Sequence, residues 1–209
     1  MMRTVMASIV AGGLIAGAGS TSRAEAVNFD SDQLGTIPAG WLCGSTGGGA
    51  PRWTVETEPL GGQKVLKQSG TGPFPWCVKR DTALVDGFVE VKFKPLSGRE
   101  DQAGGVVWRF KNGDTYYICR ANALENNVSL YYTEGGRRKT LKYVDAPVAS
   151  NVWHALRAEF RGTRIRVILD GKTYIELDDA HIAGAGHVGV WTKADSVTLF
   201  EAFSYQAAP

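Results

Sequence analysis

The sequence predicts an all-β fold: one domain, built as a two-sheet antiparallel sandwich of the jelly-roll, concanavalin A-like kind. Three observations predict it. No stretch of ten or more residues carries helical periodicity, short alternating apolar–polar runs recur at intervals of about 8–12 residues, and Gly, Pro, Asn and Asp separate them. Two packed sheets are the arrangement that buries so many half-apolar strands together.

Taken in order, residues 1–26 read as a cleaved signal peptide. Arg3 supplies the basic start, Val5 to Ala18 is apolar, and Ala24-Glu25-Ala26 is a small-x-small cleavage site. The apolar run falls short of the roughly 20 residues a membrane-spanning helix needs. The expectation is therefore an exported chain, periplasmic or secreted, with residues 27–209 as the domain and no membrane span.

Val27–Asp30 is the expected opening strand, and residues 35–52, rich in Gly, Pro and Ser, read as loop anchored by Trp41. Trp53–Thr57, Lys64–Gln68 and Trp76–Arg80 read as strands. In Phe88–Lys94, Val89, Val91 and Phe93 alternate with Glu90, Lys92 and Lys94, the pattern of a sheet with one buried and one wet face. Val106–Lys111 and Thr115–Ala121 flank Asn112-Gly113, a strong hairpin signal. With a two-residue loop Trp108 faces Tyr117 and Arg109 faces Tyr116. A longer loop including Asp114 would slip every pair and exchange the faces. Further hairpins are expected at Gly135-Gly136, between Val128–Thr133 and Arg138–Tyr143, and at Asp170-Gly171, between Arg164–Leu169 and Thr173–Leu177. Trp153–Arg161, Gly186–Thr192 and Val197–Tyr205 complete the set, the last pairing with the opening strand. The total is about 13 or 14 strands.

Without Arg3, Arg23 and Glu25, 21 of the 23 basic and 20 of the 21 acidic residues remain. That near balance argues against nucleic acid or an anionic membrane as partner. Gly136-Arg137-Arg138-Lys139 reads as a solvated hairpin end. Cys43 and Cys77 are candidates for a disulfide after export, worth about 3–4 kcal/mol for a loop of about 35 residues. Cys119, between Ile118 and Arg120, reads as a small buried hydrophobe. His154 reads as a satisfied buried histidine. No histidine spacing suggests a metal, and no cofactor is expected, although Asp30 and Asp32 would suit a structural calcium.

The chemistry-bearing residues fall in four groups. Arg109, Tyr117 and Arg120 sit in the central hairpin; Asn122, Glu125 and Asn127 lie in the loop after it; Asp101 and Gln102 lead into it. Trp191, Lys193 and Asp195 follow Gly189. Sugar sites combine an aromatic platform with amide, carboxylate and guanidinium groups that bond adjacent hydroxyls. The same side chains would also serve as ion pairs pinning loops to the sheet. The expected ligand is a small molecule or oligosaccharide, bound by a monomer.

The stretches Asp101–Phe110, Tyr116–Val128, Trp153–Arg157 and Gly189–Thr198 resemble a bacterial family of exported concanavalin A-like or laminin G-like domains carrying the 3-keto-disaccharide hydrolase label. The resemblance implies a jelly roll that processes or binds sugar. For a 3-keto glycoside, a ketone at C3 acidifies the C2 proton, so cleavage by elimination needs a base, a cation on the ketone oxygen and an acid at the leaving oxygen. Glu125 or Asp195 would be the base, and Arg109, Arg120 or Lys193 the cation. A non-catalytic carbohydrate-binding module and an exported interaction domain are the alternatives. The Glu-x-Asp-x-x-Glu strand of family 16 retaining glucanases does not occur. The nearest run, Glu176-Leu177-Asp178-Asp179-Ala180-His181, ends in His.

Overall fold

The computed structural model describes residues 23–208; residues 1–22 and 209 lie outside the described residues, and with them most of the expected signal peptide. Every regular element described is a strand: β1 (Glu25–Val27), β2 (Trp41–Thr46), β3 (Trp53–Thr57), β4 (Lys64–Gln68), β5 (Phe74–Leu84), β6 (Gly87–Ser97), β7 (Ala103–Asn112) and β8 (Thr115–Asn122). The rest are β9 (Asn127–Glu134), β10 (Arg137–Asp145), β11 (His154–Arg161), β12 (Arg164–Leu169), β13 (Lys172–Asp178), β14 (Gly186–Trp191) and β15 (Val197–Ala207). No helix among the described residues is long and apolar enough to cross a membrane.

The strands form two antiparallel sheets. The back sheet runs β13-β12-β11-β6-β15-β4-β3, with β1 on β15; the front sheet runs β10-β9-β8-β7-β14-β5-β2. The opening strand is Glu25–Val27 rather than the expected Val27–Asp30; it pairs with the closing strand, Glu25 opposite Tyr205, and the expected cleavage point after Ala26 falls within it. The stretch 35–52, expected to be loop throughout, contains β2 instead. Its Cys43 lies opposite Cys77 on β5 and is bonded to it as a disulfide.

Alternation sorts the front sheet into two faces. Val106, Trp108, Tyr117, Cys119, Ala121, Val128, Leu130 and Val190 join Val89, Val91, Phe93, Leu156 and Phe200 of the back sheet in the core between the layers. Their sequence neighbours Trp76, Val78, Val107, Phe110, Tyr116, Ile118, Tyr131 and Trp191 make a second apolar cluster drawn from the front sheet alone, on its outer face. Cys119 is wholly buried, and burial pushes its thiol far above its ordinary range. His154 is buried as expected, its Nδ1 2.7 Å from Asp170 Oδ2.

The central hairpin keeps the expected pairing of Trp108 with Tyr117 but matches neither expected loop. Its loop is Gly113-Asp114, with Asn112 opposite Thr115, and neither loop residue has positive φ. The Asn112 side chain instead accepts a hydrogen bond from the Asp114 N–H at 2.9 Å, an Asx turn. Gly113 is needed for space, since a Cβ there would lie 3.0 Å from the Trp76 ring. A bulge between Trp108 and Asn112 then restores Trp108 opposite Tyr117, and Arg109 absorbs it with φ 45°. The hairpins at Gly135-Gly136 and Asp170-Gly171 have positive φ at both central residues, as tight turns of that kind require.

Candidate functional site

The bulge decides the fate of Arg109. It turns the guanidinium inward to the edge of the core, where Nε donates to Val85 O at 3.1 Å, Nη1 to Ile182 O at 2.9 Å, and Nη2 to Gly162 O at 2.7 Å and Asp86 Oδ1 at 3.2 Å. Arg109 is thus a pin between loops, at the opposite end of β7 from Asp101, and not the electrophile of a shared site. Tyr117 is also excluded: it is fully buried in the core, and its hydroxyl binds Asp179 and accepts from the Ile182 N–H. Burial first, then the Asp179 carboxylate, pushes this phenol up to about 12.

The remaining candidates meet at one end of the front sheet. A single row of register partners crosses all seven strands: Gly44, Trp76, Trp191, Gly105, Arg120, Ser129 and Tyr143. Gly44 and Gly105 have no side chain where Trp76 and Arg120 need room; a Cβ on Gly44 would lie 2.7 Å from the Trp76 ring. Trp191 is fully buried under Phe74, whose ring stacks on it with centroids 6.0 Å apart. The exposed aromatic is therefore Phe74 rather than Trp191.

Beside this row lies a charged network. Asp101 is fully buried, and its Oδ1 accepts from Arg120 Nη1 and Asn122 Nδ2, each at 2.6 Å, while its Oδ2 accepts from Lys193 Nζ. Arg120 Nη2 donates to Glu125 Oε2 at 2.6 Å, so one guanidinium bridges two carboxylates. Asn127 donates to the same Glu125 oxygen at 2.7 Å, and the Tyr143 hydroxyl accepts from Asn127. Glu125 remains 38% exposed at its side chain. Burial opposes its ionisation, but the Asn127 amide and the Arg120 and Lys193 cations outweigh that and hold its carboxyl below the usual range.

Asp195 and Gln102 brace the network. The Asp195 carboxylate accepts the backbone N–H groups of Arg99 at 2.7 Å, Glu100 at 3.0 Å and Asp101 at 3.2 Å. Desolvation works against its ionisation, and those N–H donors more than offset it, leaving the pKa lowered. Gln102 donates to Gly98 O at 3.2 Å and accepts from Ser150. Thr71, Gly72, Pro73, Phe74, Glu100, Lys193, Ala194 and Asp195 line a cleft of about 410 Å³ that borders the network at Lys193 and the aromatic cluster at Phe74.

Phe74 and Tyr143 of this face were not singled out in the sequence, and Arg138, expected at a solvated hairpin end, is half-buried against aromatic rings instead. The Arg138 guanidinium lies over Tyr131, 4.3 Å from the ring centroid, and over Phe74 at 4.6 Å. The signal was available. A two-residue turn at Gly135-Gly136 puts Arg138 opposite Thr133, on the face of Tyr131.

A second hollow, of about 340 Å³ on the back sheet, is lined by Phe88, Arg157, Arg164 and Arg166. Those arginines are engaged with Glu90, Glu159 and Glu176 in a surface ion-pair ladder. Near Asp30 and Asp32, Lys64 Nζ donates to the backbone oxygens of both residues, at 2.8 Å and 2.6 Å. Among the described residues no group of three or more His, Cys, Asp or Glu is placed to hold a metal.

No protein-family model matches the chain, and no curated protein does. Solved structures do. The carbohydrate-binding module CBM66 from Bacillus subtilis matches with a TM-score of 0.67 at 18% identity, over 80% of this chain and 96% of its own. The Bacillus licheniformis beta-glucanase matches with a TM-score of 0.60 at 14% identity, over 90% of this chain and 98% of its own. The cellulose-induced protein Cip1 matches at 0.64 and 11% identity, over 88% and 97%. The chain is therefore similar in fold to jelly-roll binding modules and glucanases alike, as the alternating strands and two-sheet packing led us to expect.

Proposed function

We propose that the protein binds a glycan on the outer face of the front sheet without cleaving it. The observation that carries this reading is the state of the carboxylates. Asp101 is saturated by Arg120, Asn122 and Lys193, Asp195 is spent on backbone N–H groups, and Glu125 and Asp195 are both held ionised. A glycosidic leaving oxygen needs a protonated acid, normally a carboxyl with a raised pKa. Neither Glu125 nor Asp195 is such a group. What the face does offer is a cleft, a half-exposed Phe74 ring and a set of donors and acceptors at Lys193, Glu125 and Tyr143, the last two held by the fully buried Asn127, which suits hydroxyl recognition. The similarity of the fold to a carbohydrate-binding module supports the same reading.

Calorimetric titration with a panel of oligosaccharides, followed by mass spectrometry of the mixtures, tests it. Saturable binding, lost in Phe74→Ala and weakened in Lys193→Ala, with intact sugars recovered, is the expected result. Cleavage products from the purified protein would overturn it.

The resemblance to the 3-keto-disaccharide hydrolase group supports a second reading, favoured by Glu125 being ionised, partly exposed and flanked by two cations. In that reading Glu125 takes the C2 proton and Lys193 faces the ketone oxygen. Turnover of a chromogenic 3-keto-glucoside, abolished by Glu125→Gln, would establish it. The signal-peptide pattern at residues 1–26 supports export of either kind of protein.

A further inference from the structure

The binding face carries one cation more than its carboxylates use. Arg120 and Lys193 are paired with Asp101 and Glu125, whereas Arg138 makes no ion pair among the described residues. It stands apart in this. The other buried or half-buried arginines, Arg109, Arg120, Arg157 and Arg166, each hold a carboxylate at 3.2 Å or less. Arg138 is half-buried, and its Nη1 is shut off from solvent with no hydrogen-bond partner. Its neighbours are π-faces: Tyr131, Phe74 and, at 5.8 Å, Trp191. Ring faces recover part of the cost of drying a guanidinium, but its N–H groups still lack an anionic acceptor.

We propose that Arg138 is an anion subsite, and that the glycan taken by this face carries a carboxylate, as a uronic acid does. With Nη1 sealed beneath the rings, the carboxylate would be met by the other edge of the guanidinium, Nε and Nη2, whose parallel donors match it side-on. Phe74, held beside Arg138 and Trp191, would offer the part of its ring that remains open to the sugar unit that bears the acid, and the cleft beyond it would take the neighbouring unit. This rests on the glycan-binding reading above and adds the charge of the ligand to it.

The test compares matched ligands. Uronic-acid oligosaccharides, their methyl esters, the corresponding neutral oligosaccharides and a sulfated set are titrated into the wild-type protein, Arg138→Gln and Arg138→Lys, with melting curves to confirm folding. The acids should bind roughly ten- to a hundredfold more tightly than their esters, the expected worth of one charge-assisted contact. That advantage should weaken with salt, vanish in Arg138→Gln and survive in part in Arg138→Lys. Esters and neutral sugars binding as well as the acids would overturn the anion subsite, and preference for sulfate over carboxylate would overturn the uronic-acid assignment; both leave the glycan reading standing. The wild-type ester comparison decides the matter even if Arg138→Gln does not fold. Binding of no sugar at all would remove the glycan reading, and this inference with it.

Discussion

At the residue scale, the buried bridge from Arg120 to Asp101 and Glu125 orders the site. Taking one member from a buried ion pair strands the other charges away from water, at a cost of about 3–5 kcal/mol. Arg120→Ala should lower unfolding free energy by that order in a denaturant titration, and a fall under 1 kcal/mol would show that water replaces the guanidinium. The ionised carboxylates also set an acid limit. Glu125 and Asp195 lie below their ordinary values of 4.5 and 3.8 when folded, so the unfolded chain binds their protons first as pH drops. Their stabilisation is complete above about pH 4.5 and is lost as pH falls through the lower folded values. In Asp195→Asn the acid side of the melting-temperature profile should flatten; an unchanged profile would mean other groups set it.

At the element scale, the bulge in β7 separates what the sequence shows from what it hides. Alternation reveals β6, β11 and β12 and puts Trp108 opposite Tyr117, because one-residue slips would expose the apolar set. It cannot reveal that Arg109 occupies the left-handed region, so a guanidinium written into an aromatic strand reads as a surface group when it is a pin beneath the surface. The same blindness misjudged Trp191, whose cover, Phe74, comes from a strand over a hundred positions away. Left-handed φ costs a non-glycine residue roughly 1–2 kcal/mol. Arg109→Ala and Arg109→Gly both lose the four hydrogen bonds, but the glycine variant escapes the strain. It should be the more stable of the two by about 1 kcal/mol in parallel thermal melts; equal stability would mean that the bulge relaxes once the side chain is gone. The loop expected at 35–52 failed for another reason. Its strand, Trp41–Thr46, is short and Gly-bearing, and it is secured by the Cys43–Cys77 bond rather than by its own alternation.

At the scale of the whole molecule, the two sheets divide the work. The back sheet faces solvent through a ladder of paired charges, while the front sheet carries a second aromatic layer, a charged network and the unpaired Arg138. The sequence made the convergence of Asp101, Arg120, Asn122, Glu125, Asn127, Lys193 and Asp195 legible, since two distant stretches, 101–127 and 191–195, share one unusual residue mix. It could not show which were free to act, because that depends on partners brought from other strands. The placement of the first and last described strands has a practical outcome. Glu25–Val27 runs alongside Phe203–Tyr205 on the back sheet, so the first and last described strands both lie in the layer that does not carry the cleft. A tether, a tag or a neighbouring module joined directly to either of these strands would hang behind the protein, and the ligand-reading side would stay turned outward.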